Sequence, residues 1–469
     1  MTATLVWFRQ DLRLADHEAL AWAAGRGPII PVFVLDEHAR HSPGAASRWW
    51  LHHSLAQLQR SLGALVLLRG SPAVVLTDLA RRTSADSVVW NRCYEPQARA
   101  AEQALQQSLA RAGIAHHSFQ GSVLWEPGRI RTRGGGAFKV FTPFWRACQE
   151  VPVGPCIRTP RVRLQALAGV GESLGDWQLL PHSPDWAAGF EALWHPGEEG
   201  ARARLRAFVS RGLIGYEVLR NRPDEAGVSR LSPHLHFGEV SARQVWASVR
   251  KRIAGDPDLQ SDGEKFLAEL AWREFSCQLL VQFPELPERN WRSEFDRYPW
   301  REDSRQLHAW QRGRTGYPLV DAGMRELWHT GYLHNRVRMV AASFLIKHLR
   351  IHWRAGEAWF WDTLLDADLA NNAANWQWVA GSGADAAPYF RIFNPVEQGR
   401  KFDPDGRYVR RWCPELAKLP TPYVHAPFEA PRQVLEAAGV VLGQNYPRPI
   451  VEHRAARAAA LAGYQSLQA

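Results

Sequence analysis

Cysteine is scarce in this chain: five residues in 469, at positions 93, 148, 156, 277 and 413, with no CxxC spacing and no tight cluster. Neither a zinc site nor a disulfide framework is expected, and a reducing compartment is. Long apolar runs are missing too. No stretch reaches the roughly 18 apolar residues of a membrane span, and the short apolar run near the start is followed at once by acid and base, unlike a signal peptide. The expectation is a soluble cytoplasmic protein with no membrane partner. No GxGxxG follows the first apolar run, and neither GxxxxGK[ST] nor HExxH occurs, so the usual dinucleotide, P-loop and zincin readings lose their main support. The 18 histidines include the adjacent pairs His52-His53 and His116-His117. With no carboxylate or cysteine at ligand spacing, no metal site is expected.

What is present is basic and rich in indole. Lys plus Arg number 57 against 47 acidic residues, a net charge of +10, which favours a polyanionic partner through phosphate contacts and counterion release. Tryptophan, at 22 residues, outnumbers both Phe and Tyr. The hydrophobic share of 46% and charged share of 22% fit a globular chain able to bury a large core, and the length fits two or three domains.

Short apolar runs, Thr4–Phe8, Ile29–Leu35, Ala64–Leu68 and Ser87–Asn91, alternate with helical stretches such as Arg48–Leu62 and Gln97–Ala112. Runs of this kind between helices predict an α/β, doubly wound parallel-sheet domain of Rossmann-like type over residues 1–130, with helices on both faces. Residues 131–200 read as an interdomain linker, because periodicity fades while Pro and Gly recur. Helical periods then dominate, giving an all-α domain over 201–469: Ala201–Gly212, Glu239–Ile253, Glu264–Phe283, Val320–Thr330 and Asn335–Trp353. Ser232-Pro233 predicts a cap with proline at the first helical position, and Ser241 with Gln244 fits a capping box. Ser229 to Ser232, just before a helix start, offers a cradle for phosphate oxygens.

The densest chemistry lies in the helical half. Glu269, Trp272 and Arg273 share a helix face, Asn335 and Met339 share another, and residues 366–378 mix carboxylates, amides and indoles. A solvated surface does not need so many indoles, and an apolar core would not take so many carboxylates.

WFRQDLRL, SRLSPHLHFGEVS, ELAWREF, GRTGYPLVDAGMREL, HNRVRM, DADLANNAANWQW and DAAPYFRIFNP, in this order and spread over nearly the whole chain, resemble the photolyase/cryptochrome family. The likeness is nearest to bacterial class I cyclobutane pyrimidine dimer photolyases. The resemblance implies an α/β antenna domain, a helical domain holding FAD with FADH⁻ as the working form, and a monomer acting on UV-damaged DNA, single- or double-stranded, without sequence specificity. The activity implied is that of a carbon–carbon lyase: light-driven electron transfer to a flipped-out dimer. The alternative is a cryptochrome-type blue-light photoreceptor without repair.

Residue by residue, the family pattern implies FAD contacts at Tyr216, Val228, Ser229, Arg230, Leu231, Ser232, Phe266, Arg273, Arg338, Asp366, Ala367, Asp368 and Asn372. Val228 stands where the family usually has Thr. Arg338 and Asp366 look like the ion pair flanking the isoalloxazine. Asn372 matches the residue facing flavin N5, where a neutral amide suits the anionic reduced flavin. Trp376, Trp353 and Trp300 match an electron-transfer triad, since indole is easily oxidised and its radical cation relays a hole. Glu269, Trp272, Asn335, Met339 and Trp378 match the lesion pocket, and Asn335 and Met339 replace two histidines of the (6-4) branch. Arg220, Arg336 and Arg391 resemble phosphate-gripping arginines. Ala98 stands where folate-binding relatives carry Glu, which argues against methenyltetrahydrofolate. A deazaflavin, FMN, a second FAD or an empty antenna site stay open.

Overall fold

Valine, isoleucine and tryptophan fill the runs Thr4–Phe8 (β1), Ile29–Leu35 (β2) and Ser87–Asn91 (β4), and all three strands are buried along their whole length. Side chains packed on both faces of a pleated strand leave no polar alternation, which is why these strands were legible. With Val66–Arg69 (β3) and Ala115–Phe119 (β5) they form a five-stranded sheet of order β3-β2-β1-β4-β5, every pairing parallel. The sheet is therefore doubly wound as expected. The computed structural model that shows this describes residues 2–37, 40–165, 167, 169–385 and 390–467. Residues 386–389, part of the DAAPYFRIFNP motif, lie outside the described residues.

Two details correct the sequence reading. The third strand begins two residues later than expected, at Val66. The fifth was not expected at all: AHHSF sits at the sheet edge, alternates between exposed and half-buried positions, and has no apolar run to announce it.

The described chain forms two compact units. The first comprises Met1–Ile214, Ser229–Pro284 and Leu365–Ala370. It holds the sheet and its covering helices, among them Glu18–Ala24, Ala45–Leu62, Pro72–Arg82 and Pro96–Arg111. One of its cores packs Trp7, Val32, Val88 and Trp90 of the sheet against Leu76, Leu79, Leu105 and Leu109 of the helices. The WFRQDLRL motif fastens the chain inside this unit. Asp11 meets His17 Nε2 at 2.9 Å and accepts from Asn91 Nδ2 at 2.8 Å, while buried Arg13 donates to the carbonyls of Ala15, Asp16 and Gly238.

The capping box forms as read, at the start of Ala242–Gly255. The other helix start is displaced by one residue: Ser232 is already helical, Leu231 takes the cap position, and no side chain caps the helix Ser232–His236. The stretch read as linker contains a helix, Phe141–Gln149, with Phe141, Phe144 and Cys148 buried. Its helical period was obscured by the glycines just before it.

The second unit comprises Gly215–Val228, Glu285–Leu364 and Asn371–Ala469. Its described strand content is nil, and its main helices include Pro318–Thr330, Asn335–Ser343, Trp353–Thr363 and most of Leu369–Ala380. The single helix expected over Asn335–Trp353 is three pieces. A wider π-type turn at Phe344–His348 follows Ser343, Arg350 takes a positive φ of 56°, and a new helix starts at Trp353 with His352 accepting from the Arg354 N–H at 3.2 Å. The apolar period continues through the break, so periodicity alone could not find it.

Candidate functional site

In the first unit the helix Gln260–Gln282 buries Phe266, Leu267, Leu270, Ala271, Glu274 and Phe275, whereas Glu269 and Trp272, one turn apart, stay partly open. Glu269 has Lys265 at 3.7 Å, a loose surface pair of little energetic weight. Trp272 lies flat on Phe141, with ring centroids 3.8 Å apart and planes 9° from parallel. Arg273 donates to the Ser122 carbonyl at 2.7 Å, and Glu274 accepts from Leu124 N at 2.7 Å and Trp125 N at 3.3 Å. Burial pushes the Glu274 carboxyl up to about 7, against those two N–H groups and Arg273. Phe266 packs on Phe208 at 4.6 Å.

The same unit carries the cradle read at Ser229 to Ser232. Arg230 adopts a left-handed φ of 51°, a conformation uncommon for a residue other than glycine, and Ser229 Oγ accepts from Leu231 N at 3.3 Å. The turn thus folds the backbone ahead of the uncapped helix Ser232–His236. Asp366 and Ala367 are buried, and Asp368 lies 3.9 Å from His236 Nδ1.

The second unit positions the remaining residues. Asn372 Nδ2 donates to the Glu357 backbone carbonyl at 3.1 Å and to Glu357 Oε1 at 2.9 Å. Both amide protons are thereby used, which turns the amide oxygen the other way. Burial pushes the Glu357 carboxyl up to about 7, opposed by the Asn372 bond and by Arg354. Arg338 Nε donates to the Leu333 carbonyl at 2.6 Å. Asn335 is exposed at the start of its helix and Met339 half-buried one turn on. Tyr216 is buried and Val228 half-buried.

The three tryptophans of the expected triad share this unit. Trp376 is buried, edge-on to Phe360 at 5.0 Å and to Trp310 at 6.2 Å. Trp353 is fully buried, and its Nε1 donates to Asn290 Oδ1 at 2.9 Å. Trp300 is half-buried. His352 stands between the last two, with its ring 5.5 Å from Trp353 and 4.7 Å from Trp300. Burial pulls the imidazole down to about 4, so it is neutral at physiological pH. Gly356 sits under Trp376: a Cβ there would meet Trp376 Cη2 at 2.1 Å and Leu345 Cδ2 at 2.6 Å. The Gly356→Ala variant should therefore displace the indole, losing about 1–3 kcal/mol of stability from overpacking. Denaturant unfolding checks this; an unchanged stability rejects the close packing.

Of the three arginines, Arg391 is exposed, and its backbone carbonyl accepts from the buried Lys347 amine. Arg336 NH2 donates to Asn221 Oδ1 at 2.6 Å, and its guanidinium covers Phe402 at 4.3 Å. Arg220 lies over the Tyr216 ring at 5.8 Å. Phe141, Asn221, His352, Gly356 and Glu357 were not legible as site residues, because none belongs to a motif of its own. Among the described residues no group of three or more His, Cys, Asp or Glu side chains could hold a metal ion, and no helix is long and apolar enough to cross a membrane.

Comparison with known proteins decides what these residues belong to. Residues 4–161 match the family model for DNA photolyase, and residues 266–466 match that for the FAD binding domain of DNA photolyase. A deoxyribodipyrimidine photo-lyase of Agrobacterium fabrum is 51% identical over 99% of this chain and 98% of that protein. The chain belongs to the photolyase/cryptochrome family. A crystal structure described as a bacterial class III photolyase from Agrobacterium tumefaciens superposes with a TM-score of 0.96 at 50% identity, covering 100% of this chain and 98% of the other. Cryptochrome-1 of Arabidopsis thaliana is 42% identical over 96% of this chain and 68% of that protein. The match to a class III structure leaves the expected class I placement without support.

A photolyase of this family takes FAD as its core cofactor, and the residues described fit one. The left-handed turn at Arg230 opens onto a helix start that no side chain caps, chemistry suited to diphosphate oxygens.

Proposed function

We propose that this chain repairs cyclobutane pyrimidine dimers in DNA with blue light, as a carbon–carbon lyase. The observation that carries the reading is the helix Gln260–Gln282, where a carboxyl at Glu269 and an indole at Trp272 stay open one turn apart amid buried neighbours. That is a hydrogen-bond acceptor beside a stacking surface, what a pair of fused bases taken out of the duplex requires. The 51% identity to a deoxyribodipyrimidine photo-lyase supports it. When bound, reduced FAD supplies the light-driven electron that opens the cyclobutane ring and recovers it afterwards, with no net redox change.

The rest falls to the chain's own residues. Trp272 and Trp378 offer stacking faces, Glu269 and Asn335 hydrogen-bond the pyrimidine edges, and Met339 fills against the ring. Tyr216, Val228, Ser229 to Ser232, Phe266, Arg273, Arg338, Asp366, Ala367 and Asp368 would hold the cofactor, and the Asn372 amide oxygen would accept from a flavin N–H. Exposed Arg391, with Arg220 and Arg336, grips phosphates, so binding is independent of sequence and weakens as salt rises.

The deciding experiment illuminates reduced protein with a dimer-containing oligonucleotide and follows the return of thymine absorbance. A cryptochrome-type photoreceptor would hold and photoreduce the flavin yet leave that absorbance flat. Glu269→Ala should keep its flavin and lose about 1.5–3 kcal/mol of lesion binding, the worth of a hydrogen bond to a charged group, with a lower repair yield. Repair at the native yield would remove Glu269 from the role.

A further inference from the structure

We propose that Phe141 is a positioning residue of the lesion pocket, the backing plate that fixes the plane of Trp272 and leaves only its opposite face for a base to stack on. The inference rests on the reading of Trp272 as a pocket wall.

The geometry is specific. Phe141 is nearly coplanar with Trp272, 9° apart at a centroid separation of 3.8 Å. Phe275 stands edge-on to both rings, at 5.9 Å and 73° from Phe141 and at 5.7 Å and 80° from Trp272. Behind them Phe144 packs on Phe275 at 5.3 Å. Free aromatic pairs prefer offset or edge-to-face arrangements to a sandwich. The stack is therefore held by the packing of Phe141–Gln149 against Gln260–Gln282, not by ring preference alone. The exposure pattern agrees: Phe141 and Phe275 are 8% and 1% exposed, whereas Trp272 stays partly open.

The consequence is energetic. An indole free to turn about χ1 and χ2 would have to be ordered when the lesion arrives, at a cost of about 0.5–1.5 kcal/mol for such a side chain. Backed by Phe141 on one face and bordered by Phe275 beside the stack, it is ordered on folding instead, and one face is closed to competing contacts. Phe141 touches no substrate in this scheme and acts through Trp272.

The test measures dark binding of reduced, flavin-loaded protein to a dimer-containing and to an undamaged oligonucleotide, with flavin content and thermal unfolding recorded alongside. Phe141→Leu should weaken damaged-strand binding about threefold to tenfold, with undamaged binding and flavin content unchanged. Phe141→Tyr, which keeps the ring, should bind as the native protein does. In Trp272→Ala, adding Phe141→Leu should weaken binding no further. If the Leu variant does not fold, Phe141→Met, which fills similar space without a ring, carries the same expectation. Weak binding by Trp272→Ala together with native binding by the Leu or Met variant would overturn the role of Phe141 and leave the pocket reading intact. Native binding by Trp272→Ala would instead sink the reading of Trp272 as a wall, and the proposal with it.

Discussion

Trp376→Phe should slow photoreduction of the oxidised flavin by about 100-fold or more, equivalent to raising the barrier by about 2.7 kcal/mol, while prereduced protein repairs at the native rate. A benzene ring is much harder to oxidise than an indole, so a hole cannot step onto it. The smaller ring keeps the edge-on neighbours Phe360 and Trp310 but leaves the space over Gly356 unfilled, so unfolding and flavin content are recorded alongside. The comparison separates two roles that share one cofactor. If the proposed tryptophan route loads the electrons, the variant impairs that step alone, because repair by flavin already reduced does not need it. Transient absorption after a blue flash measures the first, and thymine recovery under anaerobic illumination measures the second. Native photoreduction in the variant would move the first step elsewhere, and loss of repair in prereduced protein would make Trp376 part of the lesion chemistry.

Asn372→Asp should create a carboxyl pair that keeps one proton through neutral pH. Asn372 Nδ2 stands 2.9 Å from Glu357 Oε1, and two carboxylates at that distance cannot both ionise cheaply. The proton then belongs to the pair rather than to either residue. In the native protein Glu357 already sits at about 7 because it is buried. A carboxyl raised above its unfolded value stabilises the fold at acid pH, and that contribution is lost as pH rises from the ordinary carboxyl range through about 7. The variant should push this loss to higher pH. Glu357→Gln should abolish it while its side-chain carbonyl still accepts from Asn372. Infrared titration of the protonated-carboxyl band in flavin-free protein, beside the pH dependence of unfolding, reads both directly. A variant whose band vanishes at the same pH as in the native protein would show that the two carboxyls do not meet.

The two predictions differ in how far the sequence led to them. Trp376 was legible because it lies in a motif whose spacing resembles the family's throughout. Glu357 was not: it is joined to Asn372 across 15 residues of chain, inside a helix whose period only reports that one face is apolar. The same blindness hid His352, which falls where a continuous helix was expected and where the chain instead breaks at Arg350. A hydrophobic period continues across such a break because burial, not hydrogen bonding, sets it.

By itself the sequence determined the doubly wound sheet, the helical second half, the FAD-binding family and the residues at motif positions. Apolar runs, turn residues and local spacing are chemistry that survives in one dimension. Only the tertiary structure decided what those residues do to one another: that Trp272 has a face closed by Phe141, that Asn372 is turned by Glu357, and that Trp376 presses on Gly356. Such pairings join helices at separations no period encodes, and they exist only once close packing has brought the helices together.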